Sequence, residues 1–165
     1  MGVDGALDGT RAVVVTVSDG VSAGAREDLS GAALERMLER RGASVIRVLV
    51  TDDAERISKA VKEAAQSAEL IVTTGGTGFG VRDVTPEATA AVLDREAPGL
   101  VHAMLAEGLE KTPMAALSRA RAGTVGSSLV VNTPGSPSGA TESLEAVIDL
   151  LPHALQLLSG DNRHH

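Results

Sequence analysis

Cysteine is absent from the 165-residue chain, which removes disulfides, thiolate nucleophiles and zinc–thiolate sites together. Tryptophan and tyrosine are absent too, leaving Phe79 as the one aromatic residue. Base stacking of the kind used by single-strand binding modules is therefore poorly supplied. Positive charge is also short: 15 Lys and Arg stand against 22 Asp and Glu, a formal net charge of -7. Such a balance argues against non-specific nucleic-acid or acidic-membrane binding, which needs basic surface, so any phosphate site must be local. No apolar run approaches the roughly 18 residues of a membrane span. The start lacks the basic and apolar regions of a signal peptide. These absences read as a cytoplasmic protein with neither nucleic acid nor membrane as a partner.

What is present is an apolar fraction of 43%, built from Ala, Val and Leu rather than rings, in a length suited to one continuous core. Residues 1–10 and 161–165 read as flexible tails, with His164 and His165 resembling the remnant of an expression tag, and 11–160 as a single domain. Residues 12–17, 70–72 and 129–131 are short β-branched runs, each followed by small polar residues, as expected of strands buried on both faces in a parallel sheet. Residues 45–50 form a further candidate strand. Between these runs Ile57, Ala60, Val61, Ala64, Ala65 and Ala68 lie on one helical face, as do Leu144, Val147, Ile148 and Leu151, and more weakly Ala33, Met37 and Leu38. Thr85, Pro86 and Glu87 read as a hydroxyl cap, an N1 proline and an acid at the positive end of a helix. A helix broken at Pro113 is expected over 99–120, and a hairpin around Gly126 over 121–132. The alternation predicts an α/β fold: three α/β/α layers around a mostly parallel sheet.

The segment 73–86 carries the strongest chemical signal. Gly75, Gly76, Gly78 and Gly80 allow close backbone approach to a ligand, while Thr73, Thr74 and Thr77 add hydroxyl donors. Arg82 supplies a fixed charge and Asp83 a carboxylate able to hold magnesium beside phosphate. The competing reading is a strand-to-helix turn with a surface ion pair. Neither the dinucleotide G-x-G-x-x-G pattern nor a P-loop is present, since Val81 occupies the required glycine position and no Gly-Lys-Ser/Thr follows. A second loop, 132–139, contains Pro134, Gly135, Ser136, Pro137 and Gly139; it suits a preformed ligand grip or a structural turn. Ser18 and Asp19 end the first strand. Asp52 and Asp53 follow the second, and one of them is expected to cap a helix. Ligands of open α/β sheets bind at the carboxyl ends of strands, where all these residues gather. His102 and His153, each without a second ligand nearby, read as packing or surface residues.

At these positions the sequence resembles the MogA/MoaB family of molybdenum cofactor biosynthesis, whose fold the gephyrin G domain shares. The resemblance rests on Val17-Ser18-Asp19, on Asp52 within Val50-Thr51-Asp52-Asp53, on Thr74-Gly75-Gly76-Thr77-Gly78, on Arg82-Asp83-Val84-Thr85-Pro86-Glu87-Ala88-Thr89 and on Pro134-Gly135-Ser136-Pro137. It implies magnesium-dependent adenylyl transfer from ATP to the terminal phosphate of molybdopterin, with release of pyrophosphate. It further implies that Asp52 and Asp83 are catalytic and metal- or phosphate-organising, that Ser18, Gly75 to Gly78 and Pro134 to Ser136 belong to binding loops, and that Asp19, Thr74, Arg82 and Thr85 lie among the substrate-binding residues. A homotrimer and a separate molybdate-inserting partner enzyme are implied as well. Thr133, where an aliphatic residue is usual, and the Phe79-Gly80-Val81 filling depart from the family pattern. The competing functions are a MoaB-like paralogue that binds pterin with little or no transfer, and a pure scaffold. Retention of both acids favours the enzyme.

Overall fold

In a computed structural model describing residues 5–160, four parallel strands form the centre of the molecule. They are β1 (Arg11–Val17), β2 (Ser44–Val50), β3 (Leu70–Thr74) and β6 (Ser128–Thr133). A six-stranded sheet of order β2-β1-β3-β6-β5-β4 is completed by β5 (Ala122–Val125), antiparallel to β6, and the two-residue β4 (Arg95–Glu96). The hairpin turns at Gly126, whose φ of 58° favours glycine. The α/β expectation and its mostly parallel sheet hold.

Successive side chains of a strand point to opposite faces, and this period builds two cores. Ala12, Val14, Leu70, Val72, Leu129 and Val131 face α2 (Leu29–Arg40), α5 (Pro98–Lys111), α6 (Pro137–Val147) and α7 (Leu151–Leu158). Val13, Val15, Val17, Ile71 and Val130 face α3 (Ala54–Ala65) and α4 (Thr85–Ala90). Helices thus cover both faces of the sheet, making three layers. The edge strand β2 remains partly open, with Ile46 and Leu49 exposed.

Local chemistry sets the helix ends. The Asp53 carboxylate accepts the Arg56 N–H at 2.9 Å and caps α3, leaving its neighbour Asp52 for other work. Ser18 caps the short α1 (Asp19–Ser22), and Ser136 caps α6. At α4 the expected hydroxyl cap fails: the cap position is Val84, with no side-chain bond. Thr85 is instead fully buried and donates its hydroxyl to the Gly75 carbonyl at 2.9 Å. A threonine and a proline read locally cannot reveal that the glycine loop folds back over them. The expected break at Pro113 is a short 3-10 turn, Pro113–Leu117, after α5.

The start of the chain differs from a loose tail. Leu7 is 1% exposed within the first core and donates its N–H to the Arg41 carbonyl at 2.8 Å. Scattered apolar residues among glycines and aspartates carry no periodicity, so the burial of Leu7 is decided by tertiary packing at the end of α2. Residues 1–4 and 161–165, including His164 and His165, lie outside the described residues. Leu7→Ala is expected to lower the unfolding free energy by about 2–4 kcal/mol, read from denaturant midpoints. A change below about 0.5 kcal/mol, the surface norm, would show that the segment does not pack.

Candidate active site at the carboxyl ends of the strands

The chain passes from β1 to β2 on one side and later to β3 on the other, so the strand order reverses direction at β1. A crevice forms at such a switch point. Gly75 emerges from β3 there with φ 99°, and a Cβ at this position would lie 2.3 Å from the Val17 carbonyl oxygen. Only glycine permits this approach. Gly75 also donates its N–H to the Thr133 carbonyl at 3.1 Å, and Thr74 donates its hydroxyl to the Pro134 carbonyl at 2.7 Å. Gly135 packs so closely that a Cβ on it would stand 3.3 Å from the Gly75 Cα. The two loops expected to converge are locked edge to edge, and Thr133, the unusual residue, donates to the Thr73 carbonyl at 2.8 Å.

Two clefts flank this junction. One, of about 520 Å³, is largely apolar, with Met104, Leu105 and Leu117 on one wall and Thr77, Gly78 and Pro134 on the other. The second, of about 700 Å³, is the more polar of the two and is lined by Ser18, Arg26, Ser30, Asp52, Thr74 and Gly75 among others. Gly76, Asp83, Gly135 and Ser136 border both. Asp19, Arg82 and Thr85 border neither. Thr85 supports Gly75 from beneath, and Arg82 pairs with Asp19 at 2.8 Å rather than reaching into a cleft. The surface ion pair of the competing turn reading is present, between Arg82 and Asp19, and it lies at the rim of the two clefts.

The acids are linked. Asp19 donates its backbone N–H to Asp52 Oδ2 at 3.0 Å, and Asp52 returns its N–H to Asp19 Oδ1 at 2.9 Å. This bond from Asp52, and then Arg82, hold the Asp19 carboxyl below its ordinary pKa. Asp52 moves the other way. Burial pushes its pKa up, the Asp19 N–H and Arg82 partly offset this, and the negative charges of Asp19 and Asp83 push it further. Asp83 accepts the Gly80 N–H at 2.8 Å through Oδ2. None of the described residues donates to Oδ1 of Asp52 or Asp83.

No group of three metal-ligating side chains occurs among the described residues. Magnesium seldom needs one, being held through one or two carboxylates together with substrate phosphates. A half-buried Asp52 crowded by like charge, with a free oxygen on it and on Asp83, fits that cation.

Three contributors escape sequence reading. Arg26 donates to Ser18 Oγ at 3.3 Å and brings a cation into the polar cleft. Asp28, buried, accepts from Thr16 at 2.9 Å, from the Gly31 N–H at 2.9 Å and from Arg47 at 3.1 Å, forming the floor of that cleft. Arg119 binds the glycine loop from behind. The spacing Asp28-x-x-Gly31 signals a helix cap, but nothing local marks either arginine.

A family profile described as "Probable molybdopterin binding domain" matches residues 13–153. The chain belongs to this molybdopterin-binding domain family. It is 37% identical to the molybdopterin adenylyltransferase of Helicobacter pylori strain J99, over 90% of this chain and 87% of that protein. It is 38% identical to the molybdenum cofactor biosynthesis bifunctional protein of Chlorobaculum tepidum, over 92% of this chain. The chain spans about half the length of that relative, 49%. Among solved structures, the molybdopterin biosynthesis enzyme MoaB of Thermus thermophilus superposes with a TM-score of 0.86 at 48% identity, covering 92% of this chain and 97% of that one.

The raised Asp52 pKa has a stability consequence with a defined sign. The folded state binds the Asp52 proton more tightly than the unfolded state. Stability therefore falls as pH rises from the ordinary carboxylate pKa through the higher folded one, and ionised Asp52 is a standing cost at neutral pH. Asp52→Asn keeps an acceptor for the Asp19 N–H. It is expected to melt above wild type at pH 7, with the gap closing as pH drops below the carboxylate range. A melting point at or below wild type at pH 7 would contradict this.

Proposed function

We propose that this domain is a molybdopterin adenylyltransferase using magnesium and ATP. The observation that carries the reading is the pair of clefts sharing one acidic, glycine-lined border at Gly76, Asp83, Gly135 and Ser136. Two substrates, one in each cleft, would bring their phosphates together there. A ring system suits the apolar cleft, and Ser18, Arg26 and the Gly76 N–H offer donors in the polar one. Relatives named for this activity support the assignment.

In the reaction a terminal phosphate oxygen of molybdopterin attacks the α-phosphorus of ATP. The new P–O bond forms as the bond to the β-phosphate bridging oxygen breaks, and pyrophosphate leaves. Such transfer needs alignment and charge neutralisation more than a covalent nucleophile. Asp52 and Asp83 are the residues that would hold magnesium, which supplies neutralisation of the phosphate charge. The chain itself excludes bulk at the junction through Gly75, Gly76 and Gly135, presents N–H donors to phosphate, and keeps Asp52 oriented through Asp19. Arg82, drawn to Asp19, closes the outer rim.

The family resemblance extends the proposal to a cytoplasmic homotrimer that passes adenylylated molybdopterin to a molybdate-inserting enzyme. Among the described residues, no helix is long and apolar enough to cross a membrane. Sedimentation is expected to give three times the 16.8 kDa chain mass; a monomer at micromolar concentration would refute the trimer.

Incubation with molybdopterin, ATP and magnesium is expected to yield adenylylated pterin by mass spectrometry and one pyrophosphate per product. EDTA should abolish transfer and added magnesium restore it. Asp83→Asn should lower kcat by about 10²-fold with the fold retained. Metal-independent pterin binding without pyrophosphate release would instead establish the MoaB-like or scaffold reading.

A further inference from the structure

Arg119 follows the 3-10 turn and precedes β5, between Ser118 and Ala120, which both line the apolar cleft. Its own side chain turns away from that cleft into the back of the glycine loop. Nε donates to the Gly78 carbonyl at 2.8 Å and Nη2 to the Asp83 carbonyl at 2.8 Å. Nη1 donates to Glu87 Oε2 at 2.6 Å, and the guanidinium carbon lies 5.7 Å from the centroid of the Phe79 ring. The Arg119 backbone N–H donates to the Thr77 carbonyl at 2.9 Å. One residue thus grips positions 77, 78, 79, 83 and 87 together. The bond from Arg119 is the main reason that the Glu87 carboxyl sits below its ordinary pKa.

The loop needs such a grip. Gly78 and Gly80 carry no side chain to pack, Val81 is 97% exposed, and Phe79 is 70% exposed. Glycine-rich backbone left to itself samples many conformations. The Asp83 side chain is fixed only from within, by the Gly80 N–H. The outward ties of 78–83 are the exposed Arg82–Asp19 pair at the rim and the Arg119 bonds behind. Exposed ion pairs are weak holders because water and salt screen them. Arg119 is better placed, its planar fork meeting acceptors on several sides at once.

The geometry points to Arg119 as a positioning residue that holds the Gly78–Asp83 loop so that Asp83 stands at the border of the two clefts. The same residue joins that carboxylate to the Met114–Ser118 wall, so a ligand pressing on the apolar wall and the acid that serves the transfer share one clamp. A lysine, a single point of charge on a flexible stem, cannot serve three acceptors on different sides. This inference rests on Asp83 acting in adenylyl transfer.

The test is a double-mutant cycle on the full chain, with Arg119→Met chosen to keep the stem beside Phe79 while removing every side-chain donor. Its kcat is expected to fall about 30- to 100-fold while KM for ATP changes less than about threefold, and Arg119→Lys should recover less than about a tenth of the lost rate. In an Asp83→Asn background the same change should cost less than about threefold, because a clamp acting through Asp83 has nothing left to position. Hydrogen–deuterium exchange of the segment containing the Gly80 and Asp83 amides should quicken in Arg119→Met. Losses that multiply fully in the cycle, or exchange unchanged from wild type, would overturn the proposal. If Arg119→Met does not fold, Arg119→Lys carries the same cycle and the same criteria. Wild-type protein that binds pterin but releases no pyrophosphate would refute the adenylyl-transfer reading alone, and the exchange comparison would still decide whether Arg119 holds the loop.

Discussion

The passage of Gly75 against the Val17 carbonyl governs the active end of this molecule. A strand leaving a parallel sheet normally turns away from its neighbour. Here β3 is followed by a residue, Gly75, at φ 99° that lies directly against the end of β1, with no room for a Cβ. That approach brings Gly75 and Gly76 over the switch point, under Gly135 and above the Thr85 hydroxyl. Gly76 repeats the constraint, since a Cβ on it would stand 2.4 Å from Thr85 Oγ1. The glycines are therefore required by the packing of the loop itself, which leaves bare backbone at the border of the two clefts.

Around this junction the charges are organised in layers. Asp52 and Asp83 stand inward. Asp19 and Arg82 stand at the rim, each satisfied by the other, and the reciprocal backbone bonds between Asp19 and Asp52 tie rim to interior. Crowding of carboxylates in a chain of net charge -7 is unfavourable for the folded protein alone. Ionisable residues placed against stability at the end of a sheet are the pattern of a candidate functional site, and the proposed magnesium and phosphates would offset that cost. Arg82 partly offsets this crowding at the rim, while Arg26 lies within the polar cleft and Arg119 behind the loop.

The division into two clefts also separates the two kinds of sequence information. The polar cleft is made of strand ends and the caps that follow them, so its residues fall in short motifs. The apolar cleft is made of α5, the 3-10 turn and the side of α6, whose small and apolar residues read as ordinary helix packing. Met104, Gly108 and Leu117 carry no mark of a ligand wall until Pro134 and Thr77 are placed opposite them.

By itself the sequence determined the layered α/β fold, the four central strands, the hairpin at Gly126 and the two loops, because period-2 burial and glycine-rich strand ends are local signals. It also determined the family, through Thr74 to Gly78 and Arg82 to Thr89. Tertiary structure alone decided which aspartate caps and which lines the cleft: Asp53 finds the Arg56 N–H, and Asp52 finds Asp19, 33 residues away. It decided that Thr85 supports Gly75 rather than capping α4, that Leu7 is core, and that Arg82 is held by Asp19. Arg119 became visible only when chain segments 41 and 36 residues apart, at Gly78 and Asp83, were folded onto it. Hydrogen bonds over such separations leave no periodic trace along the chain, because their geometry exists only after the sheet has brought its strand ends together.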